Sequence, residues 1–274
     1  MNSEPREILF HLLGPFSVQL SQMPVTPTAA KQRQILALLA LNAGQVVSVS
    51  TLVEELWGDF PPRSVGTTLQ SYIVQLRNRL AAAAPDADAR ALISTRHAGY
   101  LLDECACRTD VSEFRRLAHE GRTATETGDY LSASELLGQA LDIWHGCALA
   151  DMRLGRVLEL DAASLEEARL GVLERRIQAD LILRRHADLL GELTLLTARN
   201  PMNENFCALL MTALYRSGHV ARALEAFQRL RTVLNLELGV EPCARLQRLQ
   251  QRVLMGDPAL DVSEPAFAVA AGRS

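Results

Sequence analysis

Residues 64–80 read "SVGTTLQSYIVQLRNRL". Val65, Leu69, Ile73, Leu76 and Leu80 follow one another at steps of four, four, three and four. At 100° per residue they fall within about 40° of one line, which predicts a helix with one buried face. The other side carries Ser64, Thr67, Ser71, Val74, Gln75 and Asn78, flanked by Thr68, Arg77 and Arg79. A solvated face is ordinarily dotted with Glu and Lys, yet this stretch contains no acid. Such a face suits a polyanion: phosphates repel carboxylates, and small hydroxyls let a backbone approach while bonding to phosphate or base edges. Val74 is wasteful against water but useful against a thymine methyl. The plainer alternative is that Val74 packs on a neighbour and the hydroxyls are incidental.

Working outward, "EILFHLLGPFSVQL" (7–20) predicts short strands broken at Gly14-Pro15. Lys31 to Asn42 reads as a first helix ended by Ala43-Gly44. "VSVSTLVEELWG" gives a second helix, capped by Ser48 or Ser50 and stopped by Gly58. Pro61-Pro62 opens the third helix, spanning 62–81. In "ALISTRHAGYLLD", Leu92-Ile93 and Tyr100-Leu101-Leu102 read as a hairpin over 92–102 turning through Ala98-Gly99. A small sheet, three helices and a hairpin make a winged helix-turn-helix. Across 61–100 the arginines Arg63, Arg77, Arg79, Arg90 and Arg96 outnumber Asp86 and Asp88, so the basic block of this domain sits on the third helix and the wing.

The chain as a whole announces no nucleic-acid partner, because its formal net charge is −4; any such contact is local. Its 274 residues have room for two cores, and a composition that is 48% hydrophobic but only 5% aromatic favours helices. Lys31 is the sole lysine. The cysteines, at 105, 107, 147, 207 and 243, match no zinc spacing and read as reduced thiols. No histidine pair stands at i, i+4 and no serine or cysteine lies in a nucleophile elbow, so no catalytic, metal or cofactor site is expected and the chain reads as no enzyme. "MNSEPREILFHLLGPF" is not a signal peptide, and no run reaches the roughly 18 apolar residues of a membrane span. The expectation is a soluble, cytoplasmic, nucleoid-associated protein.

From Thr109 onward the pattern is helical. "GDYLSASELLGQAL" from Gly128 and "GHVARALEAFQRL" from Gly218 share a turn residue, a small Ala (Ala133, Ala223) and a bulky residue four later (Leu137, Phe227). "RHADLLGELTLLTARNP" from Arg185 is a weaker copy, and a long helix fills the stretch before it. This is the tetratricopeptide pattern. After Gly256 the periodicity ends, and the tail is expected to be disordered. The predicted architecture is mainly α with a small β component, divided as 1–108, 109–256 and a tail at 257–274.

The run from "KQRQILALLALNAGQVVSVSTLVEELWGDFPPRSVGTTLQSYIVQLRNRL" to "STRHAGYLL" resembles the OmpR/PhoB-type winged-helix DNA-binding domain. Its continuation through "FRRLAHEGRTATETGDYLSASELLGQALDIWHGCALADM" and "LMTALYRSGHVARALEAFQRLRTVLNLELGVEP" resembles the bacterial transcriptional activation domain. Together they are similar to the Streptomyces antibiotic regulatory proteins over about residues 8 to 256. No G-x-x-x-x-G-K-[ST] follows, so the ATPase module of longer members is not expected.

The resemblance implies an activator of an antibiotic or secondary-metabolite gene cluster. Such a protein binds direct repeats near the −35 element of double-stranded promoter DNA and recruits RNA polymerase. Carried over by position, contacts from the third helix fall on Thr67, Thr68, Ser71, Gln75 and Arg77, and the wing contact on Arg96. Many relatives have Arg where Gln75 stands; Gln could read adenine instead. Arg77 at the face's edge suits a base, a phosphate or a surface ion pair, and Arg79 a phosphate or solvent. Lys31 and Arg33 oppose the dipole of the first helix, which phosphate contact would offset, although an exposed polar start explains them too. Trp57, Tyr72 and Trp144 read as core. By family analogy the loop "GDFPPRSV" touches polymerase, with Glu54, Glu55 and Asp59 as an acidic rim for the basic region of a sigma factor; alternatively these acids only solubilise the second helix. Direct repeats call for a homodimer or a side-by-side pair on DNA. The alternatives are a repressor with the same DNA contacts and a protein-interaction scaffold.

Overall fold

The computed structural model describes residues 8–20, 23–83 and 92–261. The chain is mainly α with a small β component, and it packs as two compact units. The first comprises residues up to Ala118 together with 139–170, and the second comprises 119–138 together with the residues from Gly171 onward. Asp86, Asp88, Arg90 and the tail from 262 lie outside the described residues.

The first unit opens with β1 (Ile8–His11), β2 (Ser17–Leu20) and β3 (Met23–Pro24), followed by α1 (Ala30–Leu41), β4 (Val46–Ser48), α2 (Val49–Trp57) and α3 (Val65–Ala83). The hairpin is β5 (Ile93–Arg96) and β6 (Gly99–Leu102), after which β7 (Cys107–Thr109) leads into α4 (Asp110–Glu126). β1 pairs antiparallel with β2 and parallel with β7, making the sheet β3-β2-β1-β7. The expected break at Gly14-Pro15 is the β1–β2 connection. Strand β7 was not legible: its three residues alternate buried, exposed, buried, too short a pattern to stand out. Directly after it, the Asp110 carboxylate accepts from the Leu12 and Leu13 amides, which lashes the start of α4 to the end of β1.

The wing is a three-stranded sheet, β4-β6-β5, where the sequence suggested two strands. Val47 pairs with Tyr100 and Ser48 with Gly99. Gly99 therefore belongs to β6, and the turn lies at His97-Ala98. The glycine is required by closeness: a Cβ at position 99 would stand 2.0 Å from the Val47 carbonyl oxygen. Gly99→Ala is expected to cost about 2–3 kcal/mol by prising β4 from β6, measurable as a lower midpoint in urea denaturation. A midpoint equal to wild type would mean that the sheet yields freely.

Helix α3 begins three residues later than the Pro61-Pro62 signal. Arg63 and Ser64 form a turn in which the Val65 amide donates to the Pro62 carbonyl. Leu69, Ile73, Leu76 and Leu80 are buried as the stripe requires, each stabilising by roughly 1.5–3 kcal/mol. Val65, at the fraying end, is only half-buried. The Ser48 hydroxyl accepts from the Thr51 amide and caps α2, resolving the choice between Ser48 and Ser50.

The remaining helices are α5 (Tyr130–Asp142), α6 (Arg156–Ile182), α7 (Leu190–Arg199), α8 (Glu204–Arg216), α9 (Val220–Leu238) and α10 (Ala244–Met255). Gly128 and Gly218 make left-handed turns, and the turn of the weaker copy does so at Arg184, with φ 63°. Arg184, not Arg185, is thus the equivalent of Gly218, and it stands 34 residues earlier, the tetratricopeptide period. A non-glycine in this conformation hides the repeat from a glycine-based search. Ala133, Leu137, Ala223 and Phe227 are buried as that pattern expects. Past Gly256, Pro258–Leu260 form a 3-10 turn, Leu260 is 4% exposed, and its carbonyl accepts from Arg216. The first five residues of the expected tail thus carry structure, held by one buried apolar side chain, and the rest of it lies outside the described residues.

Candidate nucleic-acid interface

The exposed side of α3 is the one foreseen. Ser64, Thr67, Gln70, Ser71, Gln75, Asn78 and Arg79 are exposed, Thr68 is half-buried, and Val74 is 51% exposed. Half of the Val74 side chain is thus left bare, which counts against the alternative in which it packs on a neighbour. Two hydroxyls are parked on the helix itself: Thr68 donates to the Ser64 carbonyl at 3.0 Å and Ser71 to the Thr67 carbonyl at 2.9 Å. Such i−4 bonds are weak competitors, easily exchanged for a phosphate oxygen. Gln75 is held from one side, its Oε1 accepting from Gln32 Nε2 on α1, which leaves its own amide donors toward solvent.

Arg77 makes two bonds within the protein. Its Nε donates to the Ile93 carbonyl at 2.8 Å and its Nη2 to Thr95 Oγ1 at 2.9 Å. It is a strut between α3 and β5, fixing the wing against the helix. Arg79 is exposed and reaches the Thr26 carbonyl at 3.4 Å, a long contact. Arg96 ends β5 at the wing tip, exposed beside exposed His97 and Ala98.

Lys31 and Arg33 do not join this face. The Lys31 ammonium donates to the Leu56 carbonyl at the end of α2 and sits 4.7 Å from the centre of the Trp57 ring. Burial, helped by Arg153, holds its pKa below the usual lysine value. It closes α2 where the helix dipole is negative. Arg33 pairs with Asp151 and stacks on Phe16. The sequence reading placed both cations by their position on α1, whereas Asp151, over a hundred residues away, decides the orientation of Arg33. Trp57 and Tyr72 are half-buried with stacked rings 6.5 Å apart, and Trp144 meets Phe114 edge-on at 5.4 Å.

The acidic rim also changes. Glu54 and Asp59 are exposed, but Glu55 is 2% exposed. Its Oε1 accepts from the Gly155 amide at 2.7 Å and its Oε2 from the Leu158 amide at 2.9 Å, so it caps the N-terminus of α6. Glu55 is corrected from a surface contact to a buried cap.

Three features escaped the sequence reading. Arg63, not singled out as a contact, is exposed in the turn at the entry to α3. Ser50, exposed at the start of α2, adds a hydroxyl beside a helix N-terminus, where phosphates are favoured. Phe60 is 87% exposed on the α2–α3 connection next to Asp59, and exposure of one aromatic in a Pro-rich turn leaves no periodic trace. Among the described residues no three His, Cys, Asp or Glu side chains converge as a metal site, and no helix is long and apolar enough to cross a membrane.

Residues 24–102 match the family described as "Transcriptional regulatory protein, C terminal", and residues 109–254 match "Bacterial transcriptional activator domain". The chain is 49% identical to "Regulatory protein DnrI" of Streptomyces peucetius, over 95% of this chain and 97% of that one. It is 38% identical to "Transcriptional regulator RedD" of Streptomyces coelicolor, over 92% and 72% respectively. The structure of Mycobacterium tuberculosis EmbR in complex with a low-affinity phosphopeptide superposes with a TM-score of 0.86 at 30% identity, covering 94% of this chain and 69% of that one. With both domains matched in order and the likeness to DnrI running almost end to end, the chain belongs to the Streptomyces antibiotic regulatory protein family and is a transcriptional regulator rather than an enzyme.

Proposed function

We propose that this regulator is a sequence-specific activator of an antibiotic or secondary-metabolite gene cluster, binding direct repeats near the −35 element as a side-by-side pair. The observation that carries this reading is the exposed, acid-free face of α3 together with the exposed Arg96 of a wing that Arg77 ties to that helix. Thr67, Thr68, Ser71, Val74 and the free amide of Gln75 read the major groove. Arg63, Arg79 and Ser50 take phosphates, and Arg96 enters the adjacent minor groove. Arg77 serves indirectly by holding the wing. Glu54 and Asp59, with Phe60 between α2 and α3, offer the basic surface of a sigma factor an acidic patch with an apolar centre. This reading leaves out Lys31, Arg33 and Glu55, since Lys31 is engaged by the Leu56 carbonyl, Arg33 by Asp151 at the surface and Glu55 by the amides that begin α6.

A salt-titrated footprint on the promoters beside its own gene tests this reading. Wild type is expected to protect two direct repeats. Arg96→Ala is expected to lose about 1–3 kcal/mol of affinity and to lower the salt slope by about one. Equal affinity for wild type and Arg96→Ala removes the wing from the interface. In transcription with purified polymerase, an activator raises the yield of transcript from the protected promoter, whereas a repressor lowers it.

A further inference from the structure

The second unit holds a cavity of about 290 Å³ between α7, α8 and α9. This is near the lower end of the range found for small-molecule sites, about 300–1,000 Å³. Its walls are largely apolar, with Leu210 from α8 and Ala226, Leu230 and Val233 from α9. Most of the polar side chains along it are engaged, Asn203 accepting from the Phe206 amide and donating to Glu174. Thr194 donates to the Leu190 carbonyl, Thr197 to the Leu193 carbonyl and Asn200 to the Leu196 carbonyl, all within or at the end of α7. The Cys207 thiol donates to the Ala226 carbonyl, and burial pushes its pKa up to about 12, so the floor is uncharged.

One lining group differs. Arg229 is exposed at the cavity, makes no hydrogen bond or ion pair among the described residues, and lies close enough to Cys207 to act on the thiol. Glu204, the acid that also acts on Cys207, has its carboxylate engaged by the Cys243 amide. The site therefore combines an apolar slot, no competing carboxylate in its lining, and a single unspent guanidinium. A guanidinium pairs with a carboxylate through two parallel hydrogen bonds. A single cation does not neutralise a phosphate dianion, and the space is too small for a partner helix, which is about 10 Å across.

We infer that this cavity binds a small, largely apolar monocarboxylate, its body seated between α7, α8 and α9 and its carboxylate on Arg229. The ligand would bridge two successive helical pairs and so stabilise the repeat unit by binding only its folded form. The inference is independent of the DNA interface.

Octanoate is the probe, with octan-1-ol as its uncharged counterpart, in calorimetric titration of the full chain. Octanoate is expected to bind saturably at one site and to raise the melting temperature. Arg229→Gln is expected to weaken octanoate at least tenfold while leaving octan-1-ol unchanged. Ala198→Phe, at the exposed rim, is expected to block both ligands with helicity intact. Non-saturable uptake, no binding at millimolar octanoate, equal binding by wild type and both variants, or octan-1-ol binding as tightly as octanoate would each overturn the assignment.

Discussion

Ser71→Glu is expected to abolish promoter binding while leaving the protein folded. Ser71 is exposed in the middle of the acid-free face, and its hydroxyl is engaged only with the Thr67 carbonyl one turn back. Losing that bond costs the helix little, and glutamate is a better helix former than serine, so the stability change stays within roughly 0.5 kcal/mol. On DNA the new carboxylate is set among phosphates and base edges, where like-charge juxtaposition costs several kcal/mol, a loss of more than about 100-fold. Ser71→Gln separates charge from bulk: it is expected to lose about tenfold or less. The measurement is a binding isotherm at two salt concentrations beside a thermal melt. If Ser71→Glu binds as wild type, α3 presents another face to DNA, and the reading built on the absence of acids fails.

That face was legible because helical periodicity is a local property. The stripe from Leu69 to Leu80, the Ser48 cap and the turn residues Gly128 and Gly218 each involve neighbours within a few positions, and the structure places them as the spacing requires. The misplaced residues share a different physics. Arg77 meets Ile93 and Thr95 sixteen and eighteen residues on, Arg33 meets Asp151, and Glu55 meets Gly155 and Leu158 about a hundred residues on. A long charged side chain has several rotamers, and a partner distant in sequence chooses among them. Period and propensity place the Cα of such a residue but not its charge. The strand β4 escaped for a related reason: Val46–Ser48 is three residues long and becomes a strand only because β6 lies beside it.

Glu55→Ala is expected to destabilise the first unit as much as truncating a large core side chain. Gly155, at the N-terminal boundary of α6, has no side chain to cap the helix, and it cannot gain one: a Cβ there would stand 2.1 Å from the Glu55 carbonyl oxygen. The same close approach brings the Glu55 carboxylate to the Gly155 and Leu158 amides, which it satisfies in place of a cap residue, with Gln34 Nε2 donating to it from α1 at 3.3 Å. Removing it leaves the half-buried Gly155 amide and the buried Leu158 amide without an acceptor and takes a negative charge from the positive end of a 27-residue helix. Two charge-assisted bonds and a cap together are worth about 3–5 kcal/mol, or roughly a 6–20 °C drop in melting temperature at this chain length. Glu55→Gln, which keeps one acceptor oxygen, is expected to recover about half. Glu54→Ala and Asp59→Ala, on exposed carboxylates nearby, are expected to melt with wild type while lowering transcription. The comparison separates two causes of one phenotype: lost transcription with an unchanged melt belongs to the polymerase surface, whereas the loss from Glu55→Ala follows its melting curve. An unchanged melt for Glu55→Ala would mean that α6 finds another cap, and Glu55 would return to the set of candidate contacts.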